Sequence, residues 1–189
     1  MHYPQQLLYS LGVFCCLIHG SLMAQRYETQ SFTVLKPLSE QAQLRYYPSV
    51  MKIEAADENG FRQLFGFISG QNSENRKIEM TTPVYRQGSG EQKTMAFVLP
   101  KRFKAENTPK PQNKAVRVLA SAAGYFMAYT YTGYTSPAKE KAALEQLRQL
   151  AEKHSLTIIG PPNWLFYNAP YQFWNRKNEL LLEIIAPQP

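Results

Sequence analysis

The chain has 189 residues, of which 44% are hydrophobic, 13% aromatic and 19% charged, and this composition is typical of a globular protein and not of a disordered chain. The length predicts one globular domain with its own core. The formal net charge of +7 suits an anionic ligand, a membrane surface or a nucleic acid. The basic residues are scattered and form no nucleic-acid-binding motif, so a nucleic-acid partner is not expected.

The N-terminal segment has the character of an export signal. Its first 24 residues carry no Asp, Glu, Lys or Arg, and the apolar run LLYSLGVFCCLI has the length of a signal-peptide core. This run is shorter than the roughly 18 to 20 apolar residues of a membrane span. We therefore predict a signal peptide over residues 1–24, cleaved near Ala24, and a single exported domain over residues 25–189 that is periplasmic or secreted and keeps no stable membrane anchor. An uncleaved anchor is the alternative.

The inventory of reactive residues excludes most enzyme classes. Both cysteines, Cys15 and Cys16, lie in the predicted signal peptide, so we expect no disulfide, thiolate nucleophile or covalent haem attachment in the mature domain. The sequence holds no P-loop, zinc-protease, serine-hydrolase or dinucleotide-binding motif. We therefore predict a binding protein and not an enzyme.

The first predicted helix covers residues 57–69. Its apolar side chains recur at i, i+3, i+4 and i+7, the period of one helix face, and Gly70 closes it. These side chains are Phe61, Leu64, Phe65 and Ile68.

The second predicted helix covers residues 137–154. It begins with Ser136 as the N-cap and Pro137 at the first helical position. His154, the one histidine of the predicted mature domain, stands at its C-terminal end. A partly buried histidine favoured by the helix dipole is the preferred interpretation, and a haem ligand is the alternative.

The remaining segments have the composition of strands. They are rich in β-branched and aromatic residues and are separated by Gly, Pro and Asn: SFTVLK, AQLRYY, SVMKIEA, TMAFVLP, KAVRVLA, GYFMAYTYTG, LTII, NWLFYNA and ELLLEII. The polar segment KAENTPKPQNK, residues 104–114, is predicted to link two halves.

Two similar halves are also indicated by proline spacing. The sequence MTTP, ending at Pro83, is followed 17 residues later by Pro100, and YNAP, ending at Pro170, is followed 17 residues later by Pro187. Each pair follows a predicted helix. The order strands, helix, strands occurs twice, which predicts an α+β domain of two similar sheets around a shared core with helices outside.

Several motifs in order resemble the SOUL haem-binding family. They are LRYYPSV, FISGQN, KIEMTTPV, MAFVLP, YTGYT, YNAP and RKNELLLEI, and KIEMTTPV and RKNE are the most specific of them. The similarity covers nearly all of the predicted mature chain. It implies a distorted β-barrel of two similar βαβββ halves, akin to the ligand-binding domains of bacterial drug-sensing regulators. It also implies non-covalent binding of haem or another tetrapyrrole, for carriage or buffering, in a hydrophobic cleft beside the first helix.

The resemblance also bears on single residues. Tyr46 stands where some family members carry a proposed axial histidine, and a tyrosine phenolate can ligate ferric haem. The chain departs from the family where other members place basic side chains near the haem propionates, since Glu58, Gly66 and Gln172 occupy those positions. The basic residues near them in sequence, which could pair with carboxylates instead, are Arg62, Arg76, Arg176 and Lys177.

The predicted ligand site combines these observations. Its apolar part is the face of the first helix together with an aromatic segment near the C-terminus, and its basic part orients the ligand by charge. The predicted ligand-binding residues are Tyr46, Phe61, Arg62, Leu64, Phe65, Ile68, Tyr171, Phe173, Trp174, Arg176 and Lys177. Any of these side chains also fits an ordinary core or surface position.

Two alternatives stay open. The first is a binder of cationic or neutral amphiphiles in which Glu179 or Glu183 supplies a buried carboxylate. The second is an enzyme that uses Glu79, Glu179 or a tyrosine as acid or base. The sequence does not indicate an oligomeric state.

Overall fold

A computed structural model describes residues 27–88 and 93–187, so the predicted signal peptide and its cleavage site lie outside the described residues. The described elements are, in chain order, β1 (Glu28–Thr29), β2 (Thr33–Pro37), β3 (Ala42–Tyr47), β4 (Met51–Ala56), α1 (Asp57–Ile68), β5 (Thr81–Thr82), β6 (Val84–Gln87), β7 (Thr94–Val98), β8 (Arg117–Ala120), β9 (Gly124–Thr132), α2 (Pro137–Lys153), β10 (Ile158–Phe166) and β11 (Lys177–Ile184).

Both predicted helices are confirmed to within one residue at each end. The Ser136 side chain accepts a hydrogen bond from the Lys139 backbone N–H at 3.3 Å, which satisfies one of the free donors at the start of α2. Lys153 lies in the last turn of α2, where a cation favours the helix dipole.

Nine strands form one antiparallel sheet in the order β2-β3-β9-β11-β10-β6-β7-β4-β8, and β1 pairs with β5 in a separate parallel ribbon. The α+β class is therefore confirmed. Among the described residues no strand pairing joins the edge strands β2 and β8, so hydrogen bonds do not close the sheet into the barrel that the resemblance implies.

The sheet order shows the predicted duplication. Outward from the central β6–β10 pair, the first half reads β6-β7-β4-β8 and the second reads β10-β11-β9-β3. In each half the helix follows the equivalent strand, because α1 comes after β4 and α2 after β9. The two halves thus repeat the same arrangement about the middle of the sheet.

Two details of the sequence-based alignment of the halves are wrong. Residues 104–114 do not link the halves, since β8 comes after them and pairs with β4 of the first half. The link is the short segment 121–123 between β8 and β9. The proline spacing also matches unlike elements, because β6 and β7 fall between Pro83 and Pro100 whereas β11 alone falls between Pro170 and Pro187. Prolines mark loop positions, which need not coincide in two halves.

The strand predictions differ from the structure mainly at β6 and β10. The strand β6 was not predicted, because its four residues are too few to show a strand pattern in the sequence. LTII and NWLFYNA form one strand, interrupted by a bulge between Ile159 and Asn163, where Gly160 adopts a φ of +72°. The glycine and the two prolines that follow it predict the end of a strand. In the structure a bulge at this point lets β10 pair with β11 on both sides of it.

The helices cover one face of the sheet, here called the outer face. Leu64 and Phe67 of α1 pack on Phe97, and Leu147 of α2 packs on Leu180. All five side chains are essentially inaccessible to solvent. Burying each of these side chains contributes roughly 1.5 to 3 kcal/mol to stability. The packing of the helices on the outer face therefore stabilises the sheet, whose opposite face carries the candidate site.

Candidate functional site

The sheet face opposite the helices, here called the inner face, carries an unusual number of buried polar groups. On β11, Leu180 and Leu182 point to α2, whereas Glu179 and Leu181 point to the inner face. This follows from the alternation of side chains along a strand. The inner face is lined by a third hydrophobic cluster that includes Tyr47, Tyr85 and Leu165.

A buried ion pair lies at the centre of the second half. Arg45 of β3 donates from Nη1 to Glu179 Oε2 at 3.0 Å and from Nη2 to Glu179 Oε1 at 3.0 Å. Both side chains are nearly inaccessible to solvent. The Arg45 guanidinium also donates to the Tyr47 hydroxyl at 3.1 Å and lies 4.0 Å above the Phe32 ring centroid. The bidentate geometry makes this a strong and oriented pair.

The remaining lone pairs of Glu179 are also occupied. The Tyr167 hydroxyl donates at 2.6 Å, the Thr130 hydroxyl at 3.1 Å, and Lys177 Nζ lies 3.0 Å from Oε1. Burial would raise the pKa of Glu179, but the bonds and charge of Arg45, with Tyr167 and Lys177, outweigh it and hold the pKa below its usual range. Burial beside this carboxylate raises the pKa of Tyr167 well above its usual value. Glu179 is therefore an ionised and fully paired carboxylate.

A cavity of about 210 Å³ opens on the inner face between the two halves. Pockets for drug-sized ligands measure about 300–1,000 Å³, so this cavity suits a molecule smaller than a tetrapyrrole. The polar and charged residues of the lining are Gln30, Tyr47, Lys52, Glu54, Tyr85, Gln87, Thr94, Ser121, Asn163 and Glu183.

Lys52 is the cationic side chain of this cavity. Its Nζ lies 3.5 Å from the Tyr85 ring centroid, a cation–π contact, and it makes no salt bridge within the part of the chain that the structure describes. Burial lowers the pKa of Lys52 to about 8, and the Glu54 carboxylate offsets this only in part. Burial also raises the pKa of Tyr85 well above its usual value.

The outer face carries a second candidate surface on α1. Phe61 and Phe65 are 45% and 51% exposed, and their rings stack at 6.0 Å with an angle of 9° between the planes. Phe61 also contacts the buried Phe97 ring edge-on at 5.4 Å, which fixes its position. Exposed aromatic side chains in contact with one another mark a binding surface more often than a scattered apolar residue does.

The loop between β10 and β11 exposes three further aromatic side chains. Tyr171, Phe173 and Trp174 are 83%, 72% and 58% exposed, and the Phe173 and Trp174 rings meet edge-on at 4.7 Å. The buried Arg176 holds the loop from within, because its Nη1 donates to three loop carbonyl oxygens, those of Ala169 at 2.9 Å, Pro170 at 3.4 Å and Gln172 at 2.6 Å. Its guanidinium is therefore committed to the loop.

The structure separates the predicted site residues into groups. Leu64 and Ile68 are buried in the core beneath α1, whereas Phe61, Phe65 and the exposed Arg62 face solvent. Lys177 is 45% exposed and contacts both Glu179 and the Tyr167 ring.

The α1 aromatic residues and the loop aromatic residues form separate contacts. Each set has ring contacts among its own members, and no ring contact between the two sets occurs among the described residues. One ligand that touches both sets stays a prediction.

Tyr46 and His154 lie in the second half. Tyr46 of β3 packs against Tyr125 at 5.3 Å, and the strands β9, β11, β10, β6 and β7 lie between β3 and β4, the strand that leads into α1. Tyr46 is thus not adjacent to the aromatic residues of α1. His154 caps the C-terminal end of α2 and is half-buried, which agrees with the preferred interpretation of this residue.

Sequence reasoning missed Arg45 and Lys52. Both occupy the polar positions of alternating strands, AQLRYY and MKIEAA, and such alternation normally predicts a solvent-exposed face. The inner face is instead covered because buried side chains from both halves, Tyr47 and Tyr85 among them, pack there in one cluster. Glu179, a charged residue at the start of the apolar strand ELLLEI, was the one local signal of this arrangement.

Some kinds of site do not occur among the described residues. No group of three His, Cys, Asp or Glu side chains is placed to hold a metal ion in residues 27–88 and 93–187. No helix in those ranges is long and apolar enough to cross a membrane. Glu79, one of the acid–base candidates, is exposed and pairs with Arg102.

Solved structures with the same fold include the EcmrR C-terminal domain and a hydrolase from Listeria innocua. The EcmrR C-terminal domain superposes with a TM-score of 0.55 at 12% identity over 77% of this chain and 97% of that domain. A hydrolase from Listeria innocua superposes with a TM-score of 0.54 at 10% identity over 79% of this chain and 93% of that one. These likenesses define the fold as a duplicated α+β domain.

The sequence comparison is more specific. The family model described as SOUL heme-binding protein matches residues 27–183, and human heme-binding protein 2 is 25% identical over 139 residues, which cover 70% of this chain and 68% of the human protein. The chain belongs to the SOUL heme-binding protein family.

Proposed function

We propose that this protein binds haem or a similar flat tetrapyrrole non-covalently, for carriage or buffering and without catalysing a reaction on it. The observation that carries the proposal is the stacked pair Phe61 and Phe65, exposed on α1 with nearly parallel rings. Such a pair offers a flat apolar surface to a flat ligand, and burial of apolar area is worth about 25 cal/mol per Å². Family membership supports the same class of ligand.

The outer surface suits such a ligand better than the inner cavity does. The cavity measures about 210 Å³ and is lined by charged groups, whereas a tetrapyrrole is mostly apolar. Arg62 lies beside Phe61 on α1, is exposed and makes no salt bridge among the described residues. It is the basic side chain available to pair with propionates.

We further propose that the protein is exported and acts outside the cytoplasm. The proposal rests on the uncharged apolar segment 1–24, which ends just before the polar QRYETQ. N-terminal sequencing of exported material tests it, with a start at Gln25 as the expected result. Recovery of the intact chain only from membranes contradicts it.

Titration of the purified protein with haemin, protoporphyrin and a cationic dye tests the ligand class. Saturable binding of both tetrapyrroles with weaker binding of the dye is expected. Preference for the dye would contradict the proposal and favour the amphiphile alternative.

A further inference from the structure

The inner cavity is lined by one cation and one anion that make no salt bridge in the part of the chain that the structure describes. Lys52 and Glu183 both line it, and neither makes a salt bridge within residues 27–88 and 93–187. The third charged residue of the lining, Glu54, is already paired with Arg117. The cavity therefore presents two free charges of opposite sign.

Lys52 reaches the cavity from the first half of the molecule. Its strand β4 lies between β7 and β8, and its immediate cross-strand neighbours are the apolar residues Val98 and Leu119. The Tyr85 ring 3.5 Å from Nζ attracts the ammonium group but cannot neutralise it. Glu54 acts on Lys52 only in part and pairs with Arg117, so a largely desolvated ammonium group stays without a salt bridge, and an anionic group supplied by a ligand would be stabilised there.

Glu183 reaches the cavity from the second half. Its carboxylate accepts no described hydrogen bond, and two glycines keep the space beside it open. Oε1 lies 3.3 Å from the point that a Cβ on Gly124 would occupy, and Oε2 lies 3.8 Å from the corresponding point at Gly160. A side chain at Gly124 would crowd this carboxylate. The glycines thus leave both oxygens accessible to a donor.

The two charges face one cavity but do not meet. Lys52 lies on β4 and Glu183 on β11, with β10, β6 and β7 between them in the sheet. A molecule that carries a charge at each end can satisfy both at once, whereas a singly charged molecule leaves one unpaired. We propose that the inner cavity binds a small zwitterionic molecule whose carboxylate pairs with Lys52 and whose ammonium group pairs with Glu183. This goes beyond the proposed tetrapyrrole binding and concerns a different site.

The rest of the lining suits such a ligand. Gln87 and Asn163 face each other across β6 and β10 and supply amide donors and acceptors. Ala96 and Leu181 supply apolar contacts for a short methylene chain. A volume of about 210 Å³ equals that of roughly seven water molecules in the liquid, which matches a short-chain amino acid in size.

Isothermal titration of the purified protein with linear ω-amino acids tests the proposal. The probes are glycine, β-alanine, 4-aminobutyrate and 6-aminohexanoate, so that the separation of the two charges varies. Butyrate and butylamine are the singly charged controls for 4-aminobutyrate. Hexanoate and hexylamine are the corresponding controls for 6-aminohexanoate. Saturable binding is expected at one chain length, with singly charged analogues of that length at least tenfold weaker.

Substitutions assign the two ends of the ligand. Lys52→Gln and Glu183→Gln should each weaken binding of the preferred ω-amino acid at least tenfold, and Lys52→Arg, which keeps the charge, should stay within about threefold. The matched controls Lys36→Gln and Glu145→Gln are exposed positions outside the cavity and should have no effect. Thermal melts confirm that each variant is folded.

Three results would overturn the proposal: no ω-amino acid binds saturably, a singly charged analogue binds as tightly as the zwitterion, or folded Lys52→Gln binds like the wild type. Haemin titration of the same proteins separates this proposal from the proposed function. Haemin affinity should be unchanged in Lys52→Gln and Glu183→Gln, and a wild type that binds an ω-amino acid but no haemin refutes only the proposed function.

Discussion

Arg45 and Glu179, separated by 134 residues in sequence, form a bidentate ion pair through two hydrogen bonds of 3.0 Å on the inner face. The pair crosses β9, which lies between β3 and β11 in the sheet. It therefore fixes β3, the N-terminal strand of the second half, to the rest of that half. With the hydroxyl groups of Tyr47 and Tyr167 the pair forms a buried hydrogen-bonded network on the inner face.

Glu179→Gln should destabilise the protein by about 3 kcal/mol, because removing one partner leaves the Arg45 charge buried without compensation. Urea denaturation at pH 7 measures this change. Glu145→Gln on the exposed side of α2 is the control and should change the free energy of unfolding by less than about 0.5 kcal/mol. A loss below about 1 kcal/mol for Glu179→Gln would contradict the interpretation of the pair as a tightly coupled buried one.

The same variant should alter the acid dependence of stability. The pKa of Glu179 is lowered in the folded state from its ordinary value of 4.5, so its contribution is fully present above that value and is lost as the pH falls through the folded pKa. The difference in unfolding free energy between wild type and Glu179→Gln should shrink as the pH falls below about 4.5. A difference that stays constant would contradict this.

Lys52→Met should stabilise the protein at pH 7 by roughly 1 to 3 kcal/mol, because it replaces a largely desolvated ammonium group, which makes no salt bridge and which Glu54 compensates only in part, by an apolar side chain. The pKa of Lys52 is lowered from 10.5 to about 8, so the unfolded chain binds more protons between these values and stability rises with pH there. The gain should be full below pH 8 and fade toward pH 10.5. Urea denaturation at pH 7 and at pH 10.5, with the exposed Lys36→Met as control, measures the gain in unfolding free energy and its loss at high pH.

Much of the fold could be predicted because its signals are local. The boundaries of α1 and α2 follow from amphipathic period, Gly70 and the Ser136-Pro137 start, and most strands follow from composition. The polar contacts of the inner face could not be predicted, since Arg45 and its partner Glu179 are 134 positions apart in the sequence. The exposure of Phe61 and Phe65 could not be predicted either. The apolar face of α1 is wider than the core beneath it, and the sequence period does not show which apolar side chains of the helix remain exposed to solvent.

Arg176→Gln should weaken haemin binding about tenfold by releasing the loop that carries Phe173 and Trp174, because its Nη1 holds three loop carbonyl oxygens. Since this effect works through the loop and not through propionates, haemin and its dimethyl ester should lose affinity equally. Absorbance titrations measure both, with the exposed Arg148→Gln as control. Selective loss of haemin over the ester would instead show direct pairing with carboxylates.

Haem ligation has its own expected outcome. His154→Ala should leave the haemin spectrum unchanged, because this residue caps α2 and lies outside the aromatic surface of α1. Tyr46→Phe should also leave the spectrum and the affinity unchanged, because Tyr46 lies on β3, which five strands separate from β4 and α1. A haemin spectrum that changes in either variant would show ligation in the second half and would contradict binding on α1.

The most direct test of tetrapyrrole binding on α1 is haemin titration of the double variant Phe61→Ser/Phe65→Ser. The wild type should bind haemin saturably at low-micromolar concentration. The double variant should bind at least tenfold more weakly, a loss of about 1.4 kcal/mol or more. Tyr27→Ser, which removes another exposed aromatic side chain, should bind within about twofold of the wild type. A folded double variant that binds haemin as tightly as the wild type would contradict the account.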